Sequence, residues 1–269
     1  MRRSKKRIFK KKISKKIRRQ RIKGGNVSKK ILVCYATPSH AEKQKILVES
    51  ALSIGGIDEV RALGPNDLPE DFKEKYKKFF EHTRGGGYWI WKSYIILEEF
   101  KKMNNDDILI YIDSDMRFKI SIDNYIEHFK PENSIMVFQL SDEFIINAHK
   151  LLEKNWTKMD IFKRLNCADN KSITDTSQIE TGYSIYRKNE DSLNFLNEWS
   201  DLSKDFHLVS DEPSIEPNFD TFNENRHEQS LFSCLAKINK DKYHIQIEKT
   251  PTEYGNPIRN KGFEQLLYH

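Results

Sequence analysis

The chain has 269 residues, 37% hydrophobic and 32% charged, which suits a real core under a very polar surface. No apolar run approaches the ~18 residues that would mark a membrane-spanning helix. The formal charge of +6 conceals a basic arm on an acidic body: residues 1–23 hold 14 Lys or Arg and no acid, which leaves −8 on the other 246.

MRRSKKRIFKKKISKKIRRQRIKGG opens the chain. Like charges repel and little apolar surface can be buried, so residues 1–29 are expected to form a disordered arm. Residues 1–24 suit an anionic membrane surface, nucleic acid, or the role of a solvated tail. No apolar segment follows the basic start, so no secretory signal peptide is expected, and the stretch has more Lys than mitochondrial transit peptides show. Cys34, Cys167 and Cys234 are odd in number and spaced as neither a zinc motif nor a disulfide framework. A reducing, cytoplasmic setting is expected, with membrane-surface association through the arm as an option.

KKILVCYAT reads as a buried parallel strand, apolar from Ile31 to Ala36. Ser39 is placed to cap a helix from about His40 to Ile54, which Gly55 and Gly56 stop. IDEVRAL (57–63) is a second strand, and a charged helix is expected over 70–82. RGGGYWIWKSYIILEEFKKM (84–103) starts as a glycine-rich loop and becomes an apolar helix, and DILIYID (107–113) is the third strand. Helices near 121–129 and 144–154, strands at 134–140 and 179–188, helices at 192–204 and 229–238, and a strand at 243–249 complete the pattern. Strands alternating with helices through the first 140 residues predict an α/β fold. Its central sheet should be mixed but mostly parallel, flanked by helices, in one domain over 30–269. Asp205 to Asn225 reads as a long loop, and loops of that length inside a domain are often functional.

Three stretches carry chemistry. In ILIYIDSDM (108–116) a buried strand runs into two carboxylates, Asp113 and Asp115. Spaced i, i+2 they point the same way and repel, which a divalent cation would relieve. A solvated turn is the plain alternative. In RGGGYWIWK the glycines let the backbone approach a ligand, and Arg84 and Lys92 suit phosphate oxygens. Tyr88, Trp91 and Lys92, spaced i, i+3 and i+4, share a helix face and can project together, while other rings enter the core. In NRHEQSLF (225–232), His227 suits a metal or a proton and Glu228 suits a general base; simple helix-end capping is the alternative.

Together these pieces resemble the GT-A glycosyltransferase superfamily. IDSD is similar to its metal-binding D-x-D. RGGGYWIWK and NRHEQS resemble a bacterial and viral group with R-G-x-G-Y-W-x-W-K and H-R-H-D-Q-S. Ser93 stands where that group has Pro, and Glu228 where it has Asp. NRHEQS is also similar to H-D-E-S of the blood-group transferases and to D-Q of glycogenin-like enzymes. QIETGYSIYRK (178–188) looks like the strand that faces the transferred sugar in those families. The resemblance implies a single GT-A (Rossmann-like) domain and a nucleotide-sugar donor, UDP favoured. It implies Mn²⁺ or Mg²⁺ held by Asp113, Asp115 and His227. Donor contacts would come from Tyr35, Ala36, Thr37, Arg84, Tyr88, Lys92, Asp113 and Ser114. Gln178, Glu180 and Glu228 would be catalytic. The acceptor, a glycan, lipid-linked or protein hydroxyl, is left open, and retention of configuration is favoured over inversion.

Two rivals are weighed. A haloacid dehalogenase-type phosphatase also places D-x-D after an apolar strand, but wants Thr or Val where Arg117 stands. A non-catalytic adaptor would use only the arm, and its binding would survive loss of both aspartates.

Overall fold

The computed structural model describes residues 28–140 and 151–250. The basic arm up to residue 27, most of the helix expected over 144–154, and residues 251–269 lie outside the described residues.

The strands are β1 (Lys30–Tyr35), β2 (Glu59–Leu63), β3 (Ile108–Ile112), β4 (Ile135–Gln139), β5 (Ile179–Arg187) and β6 (Ile245–Lys249), forming one sheet in the order β2-β1-β3-β5-β4-β6. β1 pairs in parallel with β2 and β3, and β4 with β6, while both of β5's pairings are antiparallel. So β5 alone runs against the other five, and the sheet is mixed and mostly parallel, as expected.

Side chains alternate across these strands and feed two cores. Ile31, Val33 and Tyr35 of β1 join Leu109 and Tyr111 of β3 in one layer; Leu32, Cys34, Ile110 and Ile112 enter the other. Helix α1 (Ala41–Ser53) closes the second layer with Leu47 and Ala51. Helices α2 (Ile90–Lys101), α3 (Glu190–Ser203) and α4 (Glu228–Ile238) cover the first through Ile96, Phe195, Trp199 and Phe232. A third cluster gathers Phe72, Phe79, Tyr88, Phe162, Val209 and Leu231. At the sheet edge β2 is half-buried and charged, as edge strands that resist further pairing are. Arg61 ties it to α2 through Glu99 Oε2 at 2.9 Å.

Several expectations differ locally. Ser39 caps nothing: Pro38 starts a 3₁₀ turn through His40, and the Ser39 hydroxyl lies 3.0 Å from His40 Nδ1. The charged helix over 70–82 splits into Glu70–Lys75 and Lys77–Phe80 at Tyr76, where φ is −113° and ψ is 28°. The helix near 121–129 shrinks to Asp123–Ile126. Short helical turns at Met159–Arg164, Lys171–Thr174 and Phe206–Val209 were not anticipated; the last falls inside the expected loop.

Candidate active site

β2 lies on one side of β1 and β3 on the other. The carboxyl ends of β1 and β3 therefore flank a switch point, where open α/β sheets bind ligands. Tyr35 and Thr37 stand at one end and Asp113, Ser114 and Asp115 at the other, and all five line a cleft of about 560 Å³. Ala36 does not line it: its side chain is buried and its backbone N–H donates to the Leu63 carbonyl at 3.0 Å.

The glycine run shapes the opposite wall. Five successive residues, Gly85, Gly86, Gly87, Tyr88 and Trp89, have positive φ. Glycine adopts this region freely, whereas Tyr88 and Trp89 do so against their sterics. A Cβ on Gly87 would meet the Phe79 backbone at 3.2 Å, and one on Gly86 would meet Thr37 Cγ2 at 3.4 Å. Because α2 starts only at Ile90, Tyr88 precedes the helix and does not share a face with Trp91 and Lys92. Tyr88 turns instead toward Phe206 and His227 and stays out of the cleft, which Trp89 lines in its place.

Lys92 is the pivot of the charged centre. It is 2% exposed, with Nζ 2.9 Å from Glu228 Oε1 and 3.3 Å from Asp113 Oδ1. Thr181 lies between, its Oγ1 3.4 Å from Nζ and donating to Glu228 at 3.1 Å. Burial pulls the Lys92 pKa down, but Asp113 and Glu228 more than offset it, so the ammonium stays charged. Burial pushes the Glu228 carboxyl up against the pull of Lys92, and at 2.9 Å the two form an ion pair. An unpaired charge here would be costly, so each partner depends on the other. Glu228 is thus spent on Lys92 and Thr181 and is not a free base.

Asp113 Oδ1 also accepts from Tyr111 Oη at 2.6 Å. Asp115 is different: among the described residues its carboxylate has no side-chain hydrogen bond or ion pair, and burial and then Asp113 raise its pKa against its own backbone N–H, Lys43 and His40. Two hard oxygen donors, one of them a carboxylate with no side-chain hydrogen bond or ion pair among the described residues, fit Mn²⁺ or Mg²⁺. The expected third ligand does not join them. Among the described residues no three His, Cys, Asp or Glu side chains are grouped so as to hold a metal ion. His227 turns Nδ1 to the Val209 carbonyl at 2.7 Å and Nε2 toward Asp211 at 3.7 Å. Its ring stacks on Trp89, and its backbone is strained at φ 56°, ψ −127°.

Arg84 lines the cleft but pairs with Asp211 at 3.2 Å and Glu224 at 3.3 Å. Both acids line a second cavity of about 560 Å³ under the 210–225 segment. Gln178 lines the cleft with both polar atoms engaged: Nε2 donates to Thr157 Oγ1 at 3.0 Å and Oε1 accepts from Gln229 at 2.9 Å. Glu180 accepts from Thr250 at 2.6 Å. Sequence reading missed Tyr111, Thr181, Gly182 and Gln229, whose roles come from register and from packing between distant elements. Only Gly182, a glycine within a buried strand, carried a signal of close approach.

No family model matches the sequence, and no curated protein does. Solved structures with some likeness include mouse xyloside xylosyltransferase 1, at 11% identity and TM-score 0.44, covering 87% of this chain and 91% of that one. The bifunctional glycosyltransferase WbbM has 12% identity and TM-score 0.48, covering 86% of this chain and 40% of that one. Core-mannan synthase A of Aspergillus fumigatus, in its Mn/GDP form, has 7% identity and TM-score 0.44, covering 91% and 84%. Likenesses this distant assign no activity.

Proposed function

We propose that this chain is a GT-A glycosyltransferase that moves a sugar from a nucleoside-diphosphate donor to a hydroxyl acceptor in glycan or polysaccharide synthesis. One observation carries the reading: Asp113 and Asp115 stand at the carboxyl end of β3, lining a cleft at the sheet's switch point, and among the described residues the Asp115 carboxylate has no side-chain hydrogen bond or ion pair. The nucleoside would lie at the end of β1, against Thr37 and the edge of the stacked Tyr35 and Trp91. Arg84 would exchange its acidic partners for the donor's diphosphate or sugar. Asp113 and Asp115 would hold Mn²⁺ or Mg²⁺, which when bound neutralises charge on the departing diphosphate. The protein's own share is positioning and fixed charge. An inverting reaction needs a carboxylate to take the acceptor proton. Glu228 is engaged by Lys92 and Glu180 by Thr250, which supports retention.

The test is a thermal-shift and turnover panel of UDP- and GDP-sugars with and without Mn²⁺. A ligand that binds the folded state raises Tm. UDP donors should do so only with metal, and Asp115→Ala should abolish both that shift and release of the nucleoside diphosphate. A panel in which no nucleoside diphosphate stabilises the protein under either condition would end the reading.

A further inference from the structure

We propose that Glu228, Lys92 and Tyr111 are positioning residues arranged in series: Glu228 holds Lys92, and Lys92 together with Tyr111 fixes one oxygen of Asp113, leaving the other for ligand. The inference rests on the glycosyltransferase reading and assigns each member of its charged centre.

Three observations carry it. The first is saturation. The Lys92 ammonium has three protons, and the protein supplies Glu228 Oε1 at 2.9 Å, Asp113 Oδ1 at 3.3 Å and Thr181 Oγ1 at 3.4 Å. Nothing remains for a substrate, so Lys92 acts on its neighbours. The second is asymmetry at Asp113. Oδ1 takes both the Tyr111 hydroxyl at 2.6 Å and the Lys92 ammonium. Oδ2 lies over Gly182, 3.4 Å from where a Cβ there would sit. A glycine at that point of β5 keeps the space above Oδ2 open. The third is burial. Glu228 and Lys92 are 3% and 2% exposed, and Tyr111 is fully buried. Lys92 and Glu228 border the cleft, but their charged atoms are turned to each other, to Thr181 and, for Lys92, to Asp113. Partners that orient a ligating carboxylate in this way commonly matter as much as the ligand itself.

A serial arrangement differs from an independent one in a double-mutant cycle. Full-length protein carrying Glu228→Gln, Lys92→Met or both is titrated with Mn²⁺ by electron paramagnetic resonance, and its turnover of the nucleotide sugar is measured. Each single change should weaken Mn²⁺ binding roughly 10- to 100-fold. The double variant should be no worse than the poorer single one, because Glu228 has nothing to hold once Lys92 is gone. Losses that multiply would overturn the assignment and return Glu228 to a direct role. Lys92→Met alone strands the buried Glu228 carboxylate beside the half-buried Asp113 and risks unfolding. Tyr111→Phe, which removes one buried hydroxyl and keeps the ring, supplies a separate test. It should weaken Mn²⁺ binding while leaving the metal-free Tm close to wild type; unchanged Mn²⁺ affinity would overturn the proposal. Wild-type protein that binds neither Mn²⁺ nor a nucleoside diphosphate would overturn both this assignment and the glycosyltransferase reading. Wild-type protein that binds both, with multiplicative losses, removes the serial assignment alone.

Discussion

Trp91 lies flat on Tyr35, with ring centroids 3.9 Å apart and planes 19° from parallel. The contact joins the first turn of α2 to the last residue of β1. It sets how deep α2 sits against the sheet, and therefore where Lys92, the next residue, enters the cleft. Trp91 Nε1 also donates to the Gly85 carbonyl at 2.8 Å, fastening the glycine run to the same wall.

Trp91→Ala should therefore lower stability by about 3–5 kcal/mol, as large aromatic truncations in cores do. Trp91→Phe keeps a ring on Tyr35 but drops the hydrogen bond, and should cost closer to ~1 kcal/mol plus lost packing. Urea denaturation of the three proteins checks the order. If the two variants proved equally stable, the stack would contribute little and the hydrogen bond would be the main tie.

The frame was legible because its signals are local. Near-continuous apolar runs gave β1 and β3, and the acid pair at the end of β3 follows directly from IDSD. The glycine run was legible as a turn, but its reach was not. Positive φ continues through Tyr88 and Trp89, which delays α2 and turns Tyr88 away from the cleft. The centre itself was least legible. That Lys92 meets Glu228 rather than a phosphate depends on α2 and α4 packing on one face of the sheet, and residue spacing holds no record of that. Ser39 failed as a cap for a simpler reason: Pro38 next to it starts a tighter turn.

Gly182 is where backbone approach matters most. A Cβ there would fall 2.8 Å from Met116 Cε and 3.4 Å from Asp113 Oδ2. Met116 is flexible enough to give way; the Asp113 carboxylate is held by Tyr111 and Lys92 and is not. Gly182→Ala should leave Tm nearly unchanged and lower donor turnover about tenfold or more, since small misplacements at a reacting centre are costly. A variant with full turnover would show that the space above Oδ2 is not used.

Asp115 should show opposite effects on stability and on binding. Burial and Asp113 both disfavour its charge, and its own backbone N–H, Lys43 and His40 offset them only in part. Asp115→Asn removes that repulsion. Without metal its Tm should rise by roughly 2–4 °C, the shift that about 1 kcal/mol makes in a protein of this size. The stabilisation by Mn²⁺ and nucleoside diphosphate should disappear in the same variant. Scanning calorimetry of both forms decides it; an Asn variant less stable than wild type without metal would mean that Asp115 has a structural partner.

His227 makes stability depend on pH. Burial is the main cause that lowers its pKa from 6.5 to about 4; the Val209 carbonyl works against the shift and Arg84 adds to it. The unfolded chain takes up this proton near the ordinary value, and the folded protein only near the lowered one. Between them the unfolded state binds more protons, so stability falls as pH drops from 6.5 to about 4 and is flat in this group's contribution above and below. From neutral pH to about pH 5 the loss attributable to His227 should be about 2 kcal/mol, at ~1.4 kcal/mol per pH unit. His227→Asn, chosen because Asn tolerates positive φ, should lose that much less over the same interval. Urea midpoints of both proteins at the two pH values give the difference and cancel what other groups contribute to each. Parallel losses would mean that the ring is protonated in the folded state, with Asp211, 3.7 Å from Nε2, as its counter-ion.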